Sequence, residues 1–168
     1  MANSLKQEVE RSFKELISLL SSVKEKNFNS VPFEDSWTAG QLADHLFKSY
    51  DAVNVLKGRT EAPGRPYDQN VQGFKEVFLN FETKMKSPDF IIPSNEPIDK
   101  ERMLRGLRSR TSAIVQIAEE DDLSLLCLDF EFPVNGPLTR FEWISFINFH
   151  TIRHNRQLTN IIASLRSQ

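Results

Sequence analysis

Apolar residues recur along the chain at spacings of three and four, which is the period of one face of an α-helix. The pattern is sustained over four long segments, residues 5–23, 38–57, 99–118 and 139–165. Four amphipathic helices bury their apolar faces most simply against one another, so the sequence predicts an all-α fold, a four-helix bundle. No repeat, low-complexity tract or linker interrupts the chain, and residues 1–168 are therefore expected to form a single domain.

Three of the predicted helices begin with a recognisable capping residue. Either Ser36 or Thr38 can cap the second helix, and Gln41 follows Thr38 by three positions; Thr139 precedes the fourth helix with Glu142 at the same spacing. In such a capping box, each side chain accepts a hydrogen bond from a backbone N–H group that would otherwise lack a partner. Asp99 is the predicted cap of the third helix.

The connection between the second and third helices is long and contains several glycines and prolines. Within it, one short amphipathic helix is predicted by the spacing of Phe74, Val77, Phe78, Phe81 and Met85. A crossover of this length allows parallel neighbouring helices, unlike the tight loops of a simple up-down bundle. Between helices three and four, residues 128–132 alternate apolar and polar side chains, which predicts a short extended segment before a turn.

The composition and net charge of the chain argue against some classes of binding partner. The chain has 21 lysine and arginine residues against 23 aspartate and glutamate residues, a formal net charge of -2. This balance gives no broad cationic field, so neither nucleic acid nor an anionic membrane surface is expected as a partner. No stretch approaches the ~18 apolar residues of a membrane span, and the single cysteine, Cys127, excludes an intrachain disulfide. A cytoplasmic location is the default expectation.

All three histidines occur in predicted helices, at positions where the apolar stripe calls for a hydrophobic side chain. His150 and His154 are four residues apart, so their side chains lie one turn above the other on the same helix face. His45 comes from the second helix. If the two stripes meet, the three imidazoles can hold one metal ion and leave coordination positions open for water or substrate.

A histidine on an apolar face is most often a core residue that hydrogen-bonds a neighbour, and His45 taken alone favours that interpretation. The pair on the fourth helix is harder to explain, because two buried imidazoles repel each other when protonated and lack acceptors when neutral. The residues nevertheless leave both interpretations open. The spacing His-x-x-x-His also arises by chance, and here it lacks the glutamate of the zincin motif His-Glu-x-x-His.

Three further elements accompany the histidines. They are Trp-Thr-Ala-Gly-Gln-Leu-x-x-His ending at His45, the proline-rich crossover segment 87–93, and the segment 133–139 that leads into Phe146-x-x-x-His150-x-x-Arg153-His154-x-x-Gln157-Leu158. With them the chain resembles, over nearly its whole length, the DinB-like (DinB/YfiT) metal-binding four-helix bundles. The resemblance implies that His45, His150 and His154 bind one divalent metal ion. One departure is Phe132, which precedes a proline where many relatives have His-Pro; it is not one of the three ligands.

Three neutral imidazoles leave a divalent ion its full Lewis acidity, so that the pKa of bound water can fall to roughly 7 and a thiolate can also form. The resemblance points to a metal-dependent transferase that moves a low-molecular-weight thiol onto an electrophile and, second, to a hydrolase, in either case with a small-molecule substrate. A non-catalytic bundle with a structural metal, or one that only binds a ligand, is the competing class. Histidine ligands accept zinc, nickel, cobalt or iron, so the residues do not fix the metal.

Polar residues near the histidines are candidates to orient an imidazole or to contact a substrate, with solvent exposure or interhelical hydrogen bonding as the alternative. These candidates are Arg153, Gln157 and Ser49. Asp44 is rotated by about 100° from His45 and is expected to be a surface carboxylate rather than a general base. Trp37 and Trp143 are either pocket walls or packing anchors. The oligomeric state is open between a monomer and a homodimer.

Overall fold

The computed structural model describes residues 2–168, so Met1, the first residue of the expected domain, lies outside the described part. The helices of this part are α1 Ala2–Ser22, α2 Ala39–Ser49, α3 Ala52–Leu56, α4 Val71–Phe78, α5 Lys100–Glu120 and α6 Arg140–Arg166. The strands are β1 Thr60–Glu61, β2 Leu126–Phe132 and β3 Gly136–Thr139, and 3-10 helices occur at Glu25–Asn27 and Asp89–Ile91. Within residues 2–168, no helix is both long enough and apolar enough to cross a membrane.

The bundle is formed by α1, α2 with its continuation α3, α5 and α6. Both α1 and α2 pack against α5 and α6, and α4 from the crossover packs against α6. One cluster of buried apolar side chains fills the interior and extends from Leu5 to Leu165. The predicted all-α four-helix bundle, with a long crossover between its second and third helices, is therefore confirmed.

The predicted helix starts are confirmed as well. Thr38 and Thr139 form reciprocal capping boxes with Gln41 and Glu142, and Asp99 accepts a hydrogen bond from the amide three residues later. A cap fixes the first turn of a helix and with it the direction of every later side chain. The cap at Thr139 therefore sets the register of the two histidines on the 27-residue α6.

The second bundle helix is interrupted, contrary to the single helix that was predicted. It ends at Ser49 and resumes at Ala52. At the junction, the amide of Val53 donates to the carbonyl of Tyr50, only three residues earlier, at 3.1 Å. The side chain of Tyr50 is fully buried, and its hydroxyl lies 2.7 Å from Oγ1 of Thr151 on α6. This tertiary contact fixes the junction against α6.

The crossover and the segment before α6 also depart from the predictions. The short helix α4 is present but ends at Phe78, so the apolar side chains of Phe81 and Met85 lie beyond it and are 38% and 43% exposed. The predicted extended segment belongs to β2, the centre strand of a three-stranded antiparallel sheet in the order β1-β2-β3. This sheet was not predicted; it brings Phe130 and Phe132 of β2 to the wall of a cavity that is also lined by His45, His150 and His154.

Candidate metal centre

The two helix stripes that contain histidine meet inside the bundle and bring the three imidazoles together. Nε2 of His150 lies 3.1 Å from Nε2 of His45 and 3.0 Å from Nε2 of His154. One possible ligand atom from each residue lies within 4.8 Å of the others, and all three side chains are buried. The structure thus places the three predicted ligands in one group.

Hydrogen bonds at Nδ1 determine which ring nitrogen faces the centre of this group. Nδ1 of His45 lies 2.9 Å from the carbonyl oxygen of Ile91, and Nδ1 of His154 lies 2.9 Å from Oε1 of Gln157. Because these oxygens only accept, Nδ1 carries the hydrogen in both rings, and the lone pair is on Nε2. An imidazole with this arrangement is ready to ligate a metal ion through Nε2.

The hydrogen bonds that His150 lacks indicate whether a metal ion fits between the three imidazoles. Nδ1 of His150 is buried without a hydrogen-bond partner in the described part of the chain, and its Nε2 faces two nitrogens that already present lone pairs. A single N–H group on His150 can satisfy only one of them. Metal–nitrogen bonds of about 2.0–2.1 Å place two ligand nitrogens about 2.9–3.4 Å apart at the angles of octahedral and tetrahedral sites. The observed separations of 3.0 and 3.1 Å fit that range.

Burial keeps the imidazoles neutral, as metal ligation requires. Desolvation lowers the pKa of His45, lowers the pKa of His154 to about 3, and lowers the pKa of His150 well below its usual value. The neighbouring imidazoles add to the shifts at His150 and His154, because two protonated rings at this distance would repel each other. At neutral pH the group therefore offers three uncharged nitrogen donors.

Because of these shifts, the metal-free protein is expected to lose stability on acidification below pH about 6.5. An unfolded histidine binds a proton near that pH, whereas the folded histidines bind one only at lower pH. The free energy of unfolding should therefore fall as pH decreases through this window, by up to about 1.4 kcal/mol per pH unit for each histidine. Urea unfolding of chelator-treated protein at pH 7.5, 6.0 and 5.0 measures this slope. His154→Leu should make the slope shallower, and an equally steep slope would contradict the assignment.

Two of the predicted polar candidates differ in what they contact. Gln157 hydrogen-bonds the ring of His154 and so orients a proposed ligand. Ser49 donates instead to the backbone carbonyl of His45 at 2.9 Å, which is a bond within one helix turn. The hydrogen bonds of these two residues therefore favour an orienting role for Gln157 and a helix-internal role for Ser49.

Arg153, the third candidate, points its guanidinium toward the crossover. It donates to the carbonyl oxygens of Phe78 at 3.4 Å and Asn80 at 2.8 Å, and also to that of Thr83. These oxygens lie at and just beyond the end of α4, where helix carbonyls lack partners within the helix. Arg153 therefore holds this part of the crossover next to the histidine-bearing helix.

Sequence reasoning missed the part that the crossover plays in the site. The carbonyl of Ile91 fixes the tautomer of His45, and Oγ of Ser87 lies 3.3 Å from the same ring nitrogen. Ser87 and Ile91 lie in the proline-containing segment 87–93. That segment was the only signal in the sequence, and it gave no indication that a backbone oxygen would contact His45.

The expectation for Asp44 is wrong in one respect. Its carboxylate is buried rather than on the surface; it accepts a hydrogen bond from the amide of Ser94 at 2.8 Å and pairs with Lys48 at 2.9 Å. The crossover covers this side of α2, which a helix considered alone would leave in solvent. Asp44 thus fastens the crossover to α2 and is not a member of the histidine group.

A cavity of about 1440 Å³ adjoins the three imidazoles. Its wall is strongly aromatic and contains both tryptophans together with Phe33, Phe47, Phe78, Phe90, Phe130, Phe132 and Phe146. The ring of Trp37 lies 5.0 Å from that of His45 and, nearly parallel, 6.3 Å from that of His154. Trp37 and Trp143 are therefore walls of this cavity. Its volume exceeds the roughly 300–1,000 Å³ of common small-molecule sites.

Comparisons with known proteins agree with this architecture. A family model described as the DinB superfamily matches residues 8–158. A protein of Bacillus subtilis (strain 168), described as the uncharacterized protein YuaE, is 30% identical over 148 residues, which cover 84% of this chain and 87% of that protein. A solved structure described as TT2238, a four-helix bundle protein, has a TM-score of 0.57 and 16% identity, and the match covers 95% of this chain and 99% of that one. At that identity, the structural likeness supports the fold alone.

Proposed function

The chain belongs to the DinB superfamily, and we propose that it is an enzyme that binds one divalent transition metal ion through His45, His150 and His154. The observation that carries the proposal is the convergence of three neutral Nε2 atoms beside a large cavity. Zinc, nickel, cobalt and iron all accept nitrogen ligands of this kind, so the ion bound in the cell depends on its availability. The substrate is a small molecule that enters the cavity.

The size of the donor set supports a catalytic role for the ion. The group of side chains has three members in the described part of the chain, all of them histidines. Structural zinc sites generally use four protein ligands, whereas catalytic sites use three and keep a position open. A divalent ion held by the three histidines would supply Lewis acidity to a thiol or a water molecule arriving from the cavity.

Transfer of a low-molecular-weight thiol is the reaction we favour. Its sulfur forms a bond to an electrophilic carbon of a second molecule, the leaving group departs with the bonding electrons, and the thiol proton goes to solvent. No carboxylate belongs to the histidine group, so the group itself contains no carboxylate that could act as a general base for attack by water. A thiol, with a pKa of about 8.5, ionises in part even before a metal ion lowers that pKa, and its thiolate is an intrinsically strong nucleophile. Hydrolysis is therefore the second candidate.

Neighbouring residues of the chain position the donors in this proposal. Gln157 holds the ring of His154, and the carbonyl of Ile91 holds the ring of His45. Arg153 supports the site indirectly, because it fastens the end of α4 and the following residues to α6. Loss of any of these contacts should affect the reaction through the geometry of the ligands and not through contact with the reacting atoms.

Metal removal distinguishes a catalytic metal ion from a structural one that the bundle needs in order to stay folded. We expect the chelated protein to keep its helical circular dichroism at room temperature, because the apolar core from Leu5 to Leu165 does not depend on the ion. The melting temperature should fall by about 5–10 °C, the size expected when a ligand bound at roughly 100 times its dissociation constant is removed. Loss of helical signal on chelation alone would assign the metal a structural role.

The reaction itself is tested by a screen on the metal-loaded full chain. Glutathione, bacillithiol and related thiols are offered with a chloronitroarene, and esters and amides are tested in parallel. Conjugation should be seen with at least one thiol, and Gln157→Leu should lower its rate by about 10–100-fold. His154→Ala should abolish it, whereas Ser49→Ala should not. Turnover that is unchanged in His154→Ala, or absent with every thiol and ester despite full metal loading, would favour the non-catalytic binding bundle.

A further inference from the structure

A continuous line of aromatic rings leads from the mouth of the cavity to the histidine group. It runs from Phe90 through Phe130, Trp143 and Phe146 to His150, with successive ring centroids 6.1, 5.7, 6.0 and 5.4 Å apart. All five side chains line the cavity. We call these five residues the aromatic line.

Other aromatic rings pack against the sides of the inner part of the aromatic line. Phe132 lies 5.6 Å from Trp143 and 5.0 Å from Phe146, and Phe78 lies 5.0 Å from Phe146 and 5.8 Å from His150. Most of these rings meet edge to face, the arrangement in which the positive edge of one ring contacts the negative face of the next. Trp143, Phe146 and His150 are therefore packed against neighbouring rings, and the inner wall of the cavity consists of mutually packed aromatic side chains.

Core packing alone does not account for the outer end of the aromatic line. The side chain of Phe90 is 67% exposed, and Phe33, Met85 and Ile92, which also line the cavity, are 43–50% exposed. A group of exposed apolar side chains around a cavity mouth is typical of a ligand-binding site. The inner end of the aromatic line is different, because His150 is buried within the proposed catalytic group.

We propose that the electrophilic substrate has a flat aromatic body that lies along the aromatic line and presents its reactive carbon to the histidine group. This inference rests on the proposed function, because it identifies one of the two reactants. A planar ring gains contact energy against aromatic side chains beyond what its buried area provides, and a saturated molecule of equal size does not. The aromatic line therefore selects for flat aromatic molecules as well as for apolar ones.

Fluorescence gives a direct test, because the two tryptophans of the chain both line this cavity. The neutral probe N-phenyl-1-naphthylamine is titrated into the metal-loaded full chain, and energy transfer from tryptophan is recorded. We expect saturable binding, and Phe90→Ala should raise the dissociation constant by about three- to tenfold, the size of one lost aromatic contact. Phe81→Ala is the matched control, because Phe81 is also partly exposed but does not line the cavity; its dissociation constant should not change.

Competition between two alcohols of similar size tests the preference for flat rings. Unlabelled 2-naphthol should displace the probe at a concentration at least about fivefold lower than its saturated analogue decahydro-2-naphthol. Equal displacement by the two alcohols, or an equal response of Phe90→Ala and Phe81→Ala, would overturn the proposal.

The same titration on the chelated, metal-free full chain separates this inference from the proposed function. Binding of the aromatic body does not require the metal, so the dissociation constant should stay within about threefold of that of the metal-loaded protein. Probe binding without any turnover would support the aromatic site and contradict the proposed reaction. Thiol transfer that proceeds equally well on aliphatic electrophiles, with no saturable probe binding, would overturn the aromatic site and leave the reaction standing.

Discussion

Replacement of His150 or His154 by alanine is expected to abolish metal binding. Protein purified without chelator should carry about one divalent ion per chain, and each variant should carry almost none. The reason is the small donor set: with three neutral nitrogens and no carboxylate in the group, loss of one ligand leaves only two. Two imidazoles without a negative charge hold a divalent ion weakly compared with three.

Elemental analysis of the purified chains measures this effect, with circular dichroism to establish that each variant is folded. Ser49→Ala is the matched control, because Ser49 lines the cavity but donates to the backbone of His45 and not to its ring; it should retain the ion. Gln157→Leu should have a metal content between those of the wild type and the histidine variants, because its affinity for the ion should be about 10–100-fold weaker than that of the wild type. Wild-type metal content in both His150→Ala and His154→Ala would show that the three-histidine assignment is wrong.

Much of the site could be predicted because its geometry is local to one helix. His150 and His154 are one turn apart, and the cap at Thr139 sets their direction, so the sequence contains their relation to each other. The position of Gln157 beside His154 follows from the same spacing rule. The bond between His45 and the carbonyl of Ile91 could not be predicted, because every residue carries a backbone oxygen and nothing in the sequence singles one out.

The same distinction explains the fold. The four long helices follow from local periodicity, whereas the features that were missed depend on contacts between distant segments. The helix break at Tyr50 accompanies its contact with Thr151, about a hundred residues away. Strand β1 is only two residues long and exists through its pairing with β2. Asp44 was placed correctly away from His45 but is buried, because the crossover covers a helix face that local geometry assigns to solvent.

A second large effect is expected at the start of α6, where the carboxylate of Glu142 is fully buried. Arg65, from the loop between β1 and α4, donates to both of its oxygens at 2.7 and 2.8 Å. The carboxylate also accepts hydrogen bonds from the backbone and side chain of Asn70 and from the backbone of Thr139. This network fastens the loop to the helix that carries two of the proposed ligands.

Arg65→Ala is therefore expected to lower the free energy of unfolding by about 2–3 kcal/mol, because it leaves a buried carboxylate without its counter-charge. Arg65→Lys should lower the free energy of unfolding by roughly half as much. An ammonium group keeps the charge but cannot contact both carboxylate oxygens of Glu142 as the planar guanidinium does. Urea unfolding monitored by circular dichroism measures both changes.

Arg59 provides the matched control, because it lies in the same connection and also pairs with a carboxylate, that of Asp129, at 2.7 Å. The side chain of Arg59 is 78% exposed, and solvent replaces a lost partner at such a site. Arg59→Ala should therefore leave the unfolding midpoint nearly unchanged. If Arg59→Ala and Arg65→Ala shift the midpoint equally, burial of Glu142 is not what makes the Arg65 pair stabilising, and the loop is held to α6 by its other contacts.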